Sequence, residues 1–312
     1  MKNMFFIVGP TAVGKTSLAL EVAEQLGAEI VNADAFQIYR GLDILTAKPD
    51  WHAQARVPHH LLGQISLAES MSAVQFREMA GAALADIHLR NKNAIVVGGS
   101  GLYLKAITHG FDELPPPDPK LREQLSRFSS EQLIRRLKDL NPPLAARTDL
   151  NNPRRLMRAI EIASPAPVIP SEVEGSRHGR FKVTPRGPAT DARNDQLRGV
   201  LLLRDRDDLY DRINKRVNAM FADGVEDEVR TLEEIGPTAD KALGLKEIRA
   251  FIGGQISRED CIAKIQQATR AYAKRQLTWF RHQTNFPQLN LTPLSHREAV
   301  RAIMQILHRA PE

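Results

Sequence analysis

The sequence predicts an α/β protein in which helices cover both faces of a parallel sheet. Short apolar segments alternate with segments of helical spacing, and that alternation is typical of parallel strands joined by helices. Three of the apolar segments, at 4–8, 29–33 and 94–97, end directly before a glycine or an aspartate. A chain of 312 residues with 42% hydrophobic content is long enough to bury the core of such a sheet.

The other elements follow from the pattern in chain order. After the first strand, helical spacing runs from Ser17 to Leu26, and a longer helix is predicted from Ser72 to Asn91 between the second and third strands. Leu197–Leu203 is a further apolar segment, which we interpret as a strand of the same sheet. The remaining segments with helical spacing are 207–221, 225–235, 245–252, 258–281 and 295–308.

The chain is predicted to divide into a core of residues 1–113 and 196–312, a helical insertion at 114–163 and a loop at 164–195. A proline-rich segment ends the strand–helix alternation at Leu114, and the residues that follow predict short helices rich in arginine and leucine. Residues 164–195 contain five prolines and three glycines without clear periodicity, and therefore predict a loop without regular structure.

Composition narrows the class of partner and the compartment. Lysine and arginine number 43 against 37 acidic residues, a formal charge of +6 that favours a polyanionic partner but also fits a solvated basic surface. The single Cys261 cannot form an internal disulfide. The N-terminal apolar run lacks the flanks of a signal peptide, and no segment reaches membrane-spanning length, so we expect a cytoplasmic protein without a membrane partner.

A phosphate-binding motif follows the first strand. The pattern G-x-x-x-x-G-K-T is matched by Gly9, Pro10, Thr11, Ala12, Val13, Gly14, Lys15 and Thr16. Backbone amides of such a loop surround a diphosphate, Lys15 neutralises it, and Thr16 is the candidate ligand of Mg²⁺. The plain alternative, a tight turn, is disfavoured because a strand and a helix flank the motif. The predicted class is therefore a P-loop NTPase-like sheet, and a GTPase is disfavoured because no Asn-Lys-x-Asp segment is present.

Two further strand ends place polar residues at the same edge of the sheet. Asp34 follows the second strand, where a carboxylate can bind magnesium, act as a general base, or simply cap a helix. The segment Gly98–Gly101 follows the third strand in the same way and carries the hydroxyl of Ser100. We expect the three strand ends to converge on one site.

Two helices supply candidate cations. Arg212 and Arg216 lie one turn apart and off the apolar stripe of their helix, so either both are solvated or one neutralises a leaving diphosphate. In the helix 258–281, Ile265, Ala268, Tyr272 and Trp279 recur at helical spacing, and we interpret Trp279 as a core residue. The cations on another face suit a sugar-phosphate backbone, and they are Arg270, Lys274 and Arg281.

Several collinear segments resemble tRNA dimethylallyltransferases. The segments are 9–16, 34–41 (DAFQIYRG), 46–49 (TAKP), 57–60 (VPHH), 98–103 (GGSGLY), 152–156 (NPRRL) and 274–281 (KRQLTWFR). The resemblance implies transfer of a dimethylallyl group from dimethylallyl diphosphate to N6 of the adenosine 3′ of the anticodon, in tRNAs that read codons beginning with U. Two rival interpretations remain: a P-loop kinase of a nucleoside or small metabolite, and an RNA-binding protein with a degenerate catalytic core.

The resemblance also implies residue roles. Asp34 corresponds to the base toward the adenine amine, Ser100 stands where the family usually has threonine near the reacting groups, and Arg216 corresponds to the arginine on the diphosphate. Lys15 and Thr16 complete the anion and magnesium site. The residues that match tRNA-contacting segments of the family are Asp34, Ala35, Phe36, Gln37, Ser100, Arg122, Arg154, Arg155, Leu156, Met157, Arg158, Lys241, Ala242, Leu243, Gly244, Leu245, Lys246, Lys274, Arg275, Gln276, Leu277, Thr278, Trp279, Phe280 and Arg281.

The chain departs from the family pattern in three places. Ala35-Phe36 replaces the usual Ser-Met pair, Ser100 replaces threonine, and residues 164–195 lack the expected Thr-Gly-Lys-like continuation. The first two changes keep size and chemistry close to the family pattern. We expect a monomer, since one tRNA arm can fill the cleft.

Overall fold

The computed structural model describes residues 4–110, 118–164 and 197–308. Apart from Ser164, the predicted loop 164–195 lies outside the described residues. The described residues fall into two compact units, one formed by 4–110 together with 197–308 and the other by 118–164.

The described part of the first unit contains a six-stranded parallel sheet with the strand order β3-β2-β4-β1-β5-β6. The strands are β1 Met4–Val8, β2 Ala28–Asn32, β3 His59–His60, β4 Asn93–Gly98, β5 Arg198–Leu203 and β6 Gln288–Asn290. All strand pairs run parallel, and the register aligns Val8 with both Gly98 and Leu201. The carboxyl ends of the central strands therefore meet at one edge, as the sequence predicts.

Helices cover the sheet, which confirms the predicted fold class. In chain order the helices of this unit are α1 Lys15–Leu26, α2 Asp43–Thr46, α3 Trp51–Arg56, α4 Ala73–Leu89 and α5 Gly101–Thr108, and after the second unit α10 Arg206–Ala222, α11 Val225–Arg230, α12 Leu245–Ile252, α13 Arg258–Gln283 and α14 His296–His308. Local signals fix several ends. Ser72 and Gln75 form a capping box at the start of α4, and Gly27 ends α1 with φ 57°. No helix of the described ranges combines the length and apolar character needed to cross a bilayer.

One predicted helix is shorter than expected. The sequence predicts a helix over 225–235, but α11 ends at Arg230. Beyond it the Gly236 amide donates to Leu67 O at 2.8 Å, and a Cβ on Gly236 would lie 2.5 Å from Ala68 O. The chain leaves the helix because its backbone packs against residues 67–68, a long-range contact that helical spacing does not reveal.

A buried carboxylate holds the outer strand of the sheet. Glu29 on β2 is 5% exposed and accepts a 2.7 Å contact from His60 on β3. Arg90, directly after α4, grips both oxygens of the same carboxylate. Hydrogen bonding to Arg90 lowers the pKa of Glu29 to about 2, burial opposes this shift and His60 adds to it.

Within residues 118–164 the second unit consists of short helices, which are α6 Pro119–Ser126, α7 Ser130–Leu140, α8 Pro142–Arg147 and α9 Pro153–Ala163. Asp118, Ser129, Asn141 and Asn152 cap their N-termini with side-chain oxygens. Apolar residues from all four helices form a core of their own, which contains Leu125, Leu133, Leu137, Ala145, Leu156, Ala159 and Ile160.

Candidate active site

The phosphate-binding motif lies between β1 and α1, and at two of its positions any residue with a side chain would be strained. A Cβ on Gly9 would fall 2.6 Å from the carbonyl oxygen of Leu202 on β5, and Gly14 has φ 105°, which favours glycine. Lys15 Nζ donates to the carbonyl oxygens of Gly9 and Pro10 at 2.9 and 2.8 Å. The ammonium group is thus held over the loop in which an anion would bind.

The pKa of the Lys15 ammonium group lies below its ordinary value. Burial lowers the pKa of Lys15 to about 8, the Asp34 carboxylate opposes the shift, and Arg216 contributes to it. A diphosphate placed beside Lys15 would favour its charged form. Its protonation and anion binding are therefore linked.

Arginines approach the loop from the other side. Arg212 Nε donates to Ala12 O at 2.9 Å, and Arg216 donates from Nη1 to Thr11 Oγ1 at 3.2 Å and from Nη2 to Thr46 O at 3.0 Å. Both predicted arginines of α10 therefore reach the loop. Arg204, which the sequence analysis did not single out, donates to Val13 O at 2.9 Å. Its position directly after β5, like that of Asp34 after β2, is the signal that could have identified it.

Asp34 lies where two cavities meet. One cavity has a volume of about 590 Å³ and opens over the phosphate-binding loop, and the other has a volume of about 220 Å³. Thr11, Asp34 and Arg216 line both cavities. Asp34 Oδ1 also accepts a hydrogen bond from the Phe36 amide at 3.0 Å, which orients the carboxylate. A group bound in either cavity therefore has access to the same carboxylate.

The larger cavity has the chemistry of a diphosphate site with room for a metal ion. Its lining includes Lys15, Thr16 and the carboxylates of Asp34 and Asp50. Hydroxyl and carboxylate oxygens are the ligands that Mg²⁺ prefers, and this ion usually takes its remaining ligands from water and substrate phosphates. Within the described residues, no group of three or more histidine, cysteine, aspartate or glutamate side chains forms a metal site by itself. The lining thus offers hydroxyl and carboxylate oxygens of the kind that Mg²⁺ prefers.

The smaller cavity is suited to a small, partly apolar group. Its apolar wall consists of Phe36, Leu45, Val217, Met220, Leu243 and Ile265. Besides the three shared residues, polar and basic groups complete the lining, namely Thr46, Thr269, Tyr272, Lys241 and Arg275. Burial raises the pKa of Tyr272 to about 12, so its hydroxyl stays protonated at neutral pH. An apolar pocket with a few polar groups is the usual setting for specific binding of a small ring.

Comparison with known proteins identifies the family. A protein-family model described as IPP transferase matches residues 37–283. The chain is 42% identical over 276 residues to tRNA dimethylallyltransferase 1 of Citrifermentans bemidjiense, with 87% of each chain covered. It is 40% identical to tRNA dimethylallyltransferase of Akkermansia muciniphila, with 97% of this chain and 98% of the relative covered. The chain belongs to the tRNA dimethylallyltransferase family.

A solved structure agrees with this assignment. The full-length tRNA isopentenylpyrophosphate transferase from Bacillus halodurans is 32% identical and superimposes with a TM-score of 0.67, covering 98% of this chain and 97% of that chain. The resemblance inferred from the sequence motifs is therefore confirmed.

Ser100, which stands where the family usually has threonine, has a buried side chain that is bound to the backbone beside Asp34. Its side chain is 7% exposed and lines neither cavity, and its hydroxyl accepts a hydrogen bond from the Ala35 amide at 2.9 Å. The contact of Ser100 with the reacting groups stays a prediction. Ser100 holds the backbone that follows Asp34.

Gln37, predicted from the family to contact tRNA, lies on the phosphate side. It lines the larger cavity and donates from Nε2 to the carbonyl oxygens of Thr46 and Ala47 at 3.0 and 3.2 Å. Thr46 O also accepts from Arg216. Gln37 thus helps to hold the segment that separates the two cavities.

Helix α13 corrects the predicted apolar stripe. Its fully buried aromatic residue is Phe280, while Trp279 is half-buried and lies over Gly101, where a Cβ would be 2.4 Å from Trp279 Cδ2. The prediction that Trp279 is a core residue is wrong, because the next residue, Phe280, takes the place in the core. Arg270 donates to Asn214 Oδ1 at 2.9 Å and so joins α13 to α10. Among residues 274–281 the exposed cations are Lys274, Arg275 and Arg281.

Several residues of the predicted tRNA-binding set have buried side chains. In the second unit Leu156 is 0% exposed, whereas Arg122 and Arg158 keep 46% and 28% of their side chains exposed and both bind Glu161, at 2.8 and 3.1 Å. Arg154 and Arg155 on the same helix are exposed. In the first unit the members with buried side chains are Ser100, Ala242, Leu245, Gln276 and Phe280. The buried side chains among them support the surface from beneath, and the tRNA contacts expected of the exposed members stay predictions.

Proposed function

We propose that this chain transfers the dimethylallyl group of dimethylallyl diphosphate to N6 of the adenosine 3′ of the anticodon, in tRNAs that read codons beginning with U. The observation that carries this proposal is the pair of cavities that share Thr11, Asp34 and Arg216. One cavity suits a diphosphate and the other suits a base that has been turned out of its stack. The carboxylate at their junction suits a reaction between the two.

The diphosphate end of the donor lies in the larger cavity in this proposal. Lys15 and Arg216 carry the positive charge that the anion requires, and Arg212 lies at the outer side of the loop. Charge builds on the diphosphate as its bond to the allylic carbon breaks, so these cations act most strongly on the transition state.

Asp34 acts on the other partner. The exocyclic amine of adenine is a weak nucleophile, and a carboxylate that accepts its hydrogen bond aligns N6 with the allylic carbon. The new bond joins N6 to that carbon, the carbon–oxygen bond to diphosphate breaks, and the amine proton passes to Asp34. Atoms and charges balance without a further reactant.

Magnesium belongs to this proposal as the partner of the diphosphate. Thr16, which follows Lys15, supplies a side-chain hydroxyl oxygen to this cavity, and the carboxylate of Asp50 lines the same cavity. When bound, the ion would neutralise part of the charge on the departing diphosphate.

The test is transfer of label to RNA. Purified protein with radiolabelled dimethylallyl diphosphate and unmodified tRNA should place the label in tRNA, and a transcript with guanosine 3′ of the anticodon should stay unlabelled. Phosphorylation of a nucleoside by ATP without label transfer would support a kinase and contradict the proposal, and tRNA binding without either reaction would contradict it as well. We place the reaction in the cytoplasm, where tRNA is available to a modifying enzyme.

A further inference from the structure

One amide on helix α13 connects parts of the site that are far apart in the chain. Gln276 lies between the exposed residues Lys274 and Arg275 and the half-buried Trp279, yet its own side chain is only 6% exposed. Buried glutamine is costly unless its amide finds partners. The partners of Gln276 therefore decide what the residue does.

Both ends of the amide are bound to loops of the active site. The Thr11 backbone amide donates to Gln276 Oε1 at 2.9 Å, and Gln276 Nε2 donates to Gly99 O at 2.8 Å. The approach is so close that a Cβ on Gly99 would lie 2.4 Å from Nε2. Gln276 thus joins the phosphate-binding loop after β1 to the loop after β4.

Each of these loops leads directly to a reacting group. Thr11 accepts from Arg216 through its hydroxyl and lines both cavities. Ser100, next to Gly99, accepts from the amide of Ala35, which follows Asp34. The orientation of the phosphate-binding loop and that of the Asp34 carboxylate therefore both depend on the Gln276 side chain.

We propose that Gln276 is a positioning residue for the transfer reaction, which fixes the phosphate-binding loop relative to the loop that orients Asp34. The catalytic part of this inference rests on the proposed function, because Gln276 would set the distance between the leaving diphosphate and the Asp34 carboxylate. It replaces the expectation that Gln276 contacts tRNA. Small losses of alignment at a reacting centre cost large factors in rate.

The test uses Gln276→Met, which keeps the volume and removes both hydrogen bonds. We expect kcat to fall about 10- to 100-fold, while the Kd for tRNA stays within about twofold because the exposed cations are unchanged. The Kd for inorganic pyrophosphate, measured by calorimetry, should rise by about three- to tenfold because the loop loses its support. A loss of tRNA affinity with unchanged kcat would show a direct RNA contact and overturn the proposal.

A matched control separates positioning from general stability. Thr284→Val removes a hydroxyl that donates only to Phe280 O at the end of the same helix, at 3.0 Å. It should lower Tm slightly and leave kcat and pyrophosphate binding within about twofold. If Gln276→Met lowers kcat only in proportion to the folded fraction, the residue is structural and the proposal fails.

A second variant reaches the same contact from the opposite side. Gly99→Ala keeps Gln276 but places a methyl group against its Nε2, so it should reproduce both the lower kcat and the weaker pyrophosphate binding. Normal values for this variant would overturn the proposal even if Gln276→Met does not fold. If the wild-type protein transfers no label to tRNA, the proposed function fails, and pyrophosphate affinity alone then decides whether Gln276 supports the loop.

Discussion

The carboxylate of Asp34 is the single acidic group that lines both cavities, among the residues the structure describes. Asp34→Asn keeps the shape and one hydrogen-bonding oxygen but removes the proton acceptor. We expect the transfer rate at saturating substrates to fall by about 10²-fold or more, with tRNA affinity within a few-fold. Single-turnover rates and filter binding measure the two quantities. Turnover near that of the wild type would show that another group accepts the proton.

Lys15 makes donor binding depend on pH. Because its pKa is lowered to about 8 in the free protein, Lys15 loses its charge as the pH rises through that value, and attraction for the diphosphate weakens. We expect the Kd of an unreactive diphosphate analogue to rise by up to about tenfold between pH 8 and pH 9. Lys15→Arg is the control, since arginine keeps its charge over this range. Parallel profiles for the two proteins would contradict the lowered pKa.

At this scale the sequence predicted which residues gather, but not every contact they make. The loop pattern and the strand ends were enough to bring Lys15 and Asp34 together, because parallel strands end at a common edge. Helical spacing alone left open whether Arg212 or Arg216 reaches that edge. The sequence did not show that the side chains of Ser100 and Gln276 are buried and bound to loop backbones, because these contacts join residues that are distant in the chain. Such contacts leave no periodic pattern in a single sequence.

Helix α13 carries the exposed cations Lys274, Arg275 and Arg281 on the segment that also contains the buried Gln276. Replacing Lys274 and Arg281 by alanine should weaken tRNA binding and reduce the slope of log Kd against log salt, with little change in saturated turnover. The control removes the same charge from α14, through Arg297→Ala and Arg301→Ala, and should leave the slope unchanged. Equal slopes in all three proteins would place the α13 cations away from the RNA backbone.

The edge of the sheet depends on the Glu29 carboxylate. A fall in its pKa from 4.5 to about 2 corresponds to about 3 kcal/mol, which solvent at the half-exposed Arg90 reduces to about 2 kcal/mol. Since the pKa is lowered on folding, this stabilisation is complete above pH 4.5 and is lost as the pH falls toward 2.

Glu29→Gln should therefore lower the free energy of unfolding by about 2 kcal/mol at pH 7, and the difference from the wild type should shrink below pH 4.5. Urea unfolding at several pH values measures this. Asp86→Asn removes the other, exposed partner of Arg90 and should cost less than about 0.5 kcal/mol. A difference that does not change with pH would assign the loss to packing.

Elements differ in how well their sequence predicts them. The helix Leu245–Ile252 was predicted with its observed bounds, because a glycine precedes it and its apolar face is clear. β3 has two residues and β6 has three, too few to show a period of two, so neither was predicted. Short edge strands are defined by the neighbours they pair with.

For the whole molecule the fold class was predictable because local signals agreed: strand, glycine loop and helix recur in order. Oligomeric state has no such signal, and the expectation of a monomer stays a prediction. Native mass spectrometry at micromolar concentration should show a dominant species of 34.8 kDa. A dominant species of twice that mass would contradict it.

The central position of β1 has a consequence for the growing polypeptide. β1 pairs with β4 on one side and with β5 on the other, so its two partners are separated by 100 residues of synthesis, from Gly98 to Arg198. At roughly 5–20 residues per second, the ribosome takes about 5–20 s to cover that interval. During it an apolar strand keeps one bonding edge open, the kind of edge that recruits other strands. Translation speed through residues 99–197 therefore sets how long this edge of β1 stays unpaired in the nascent chain.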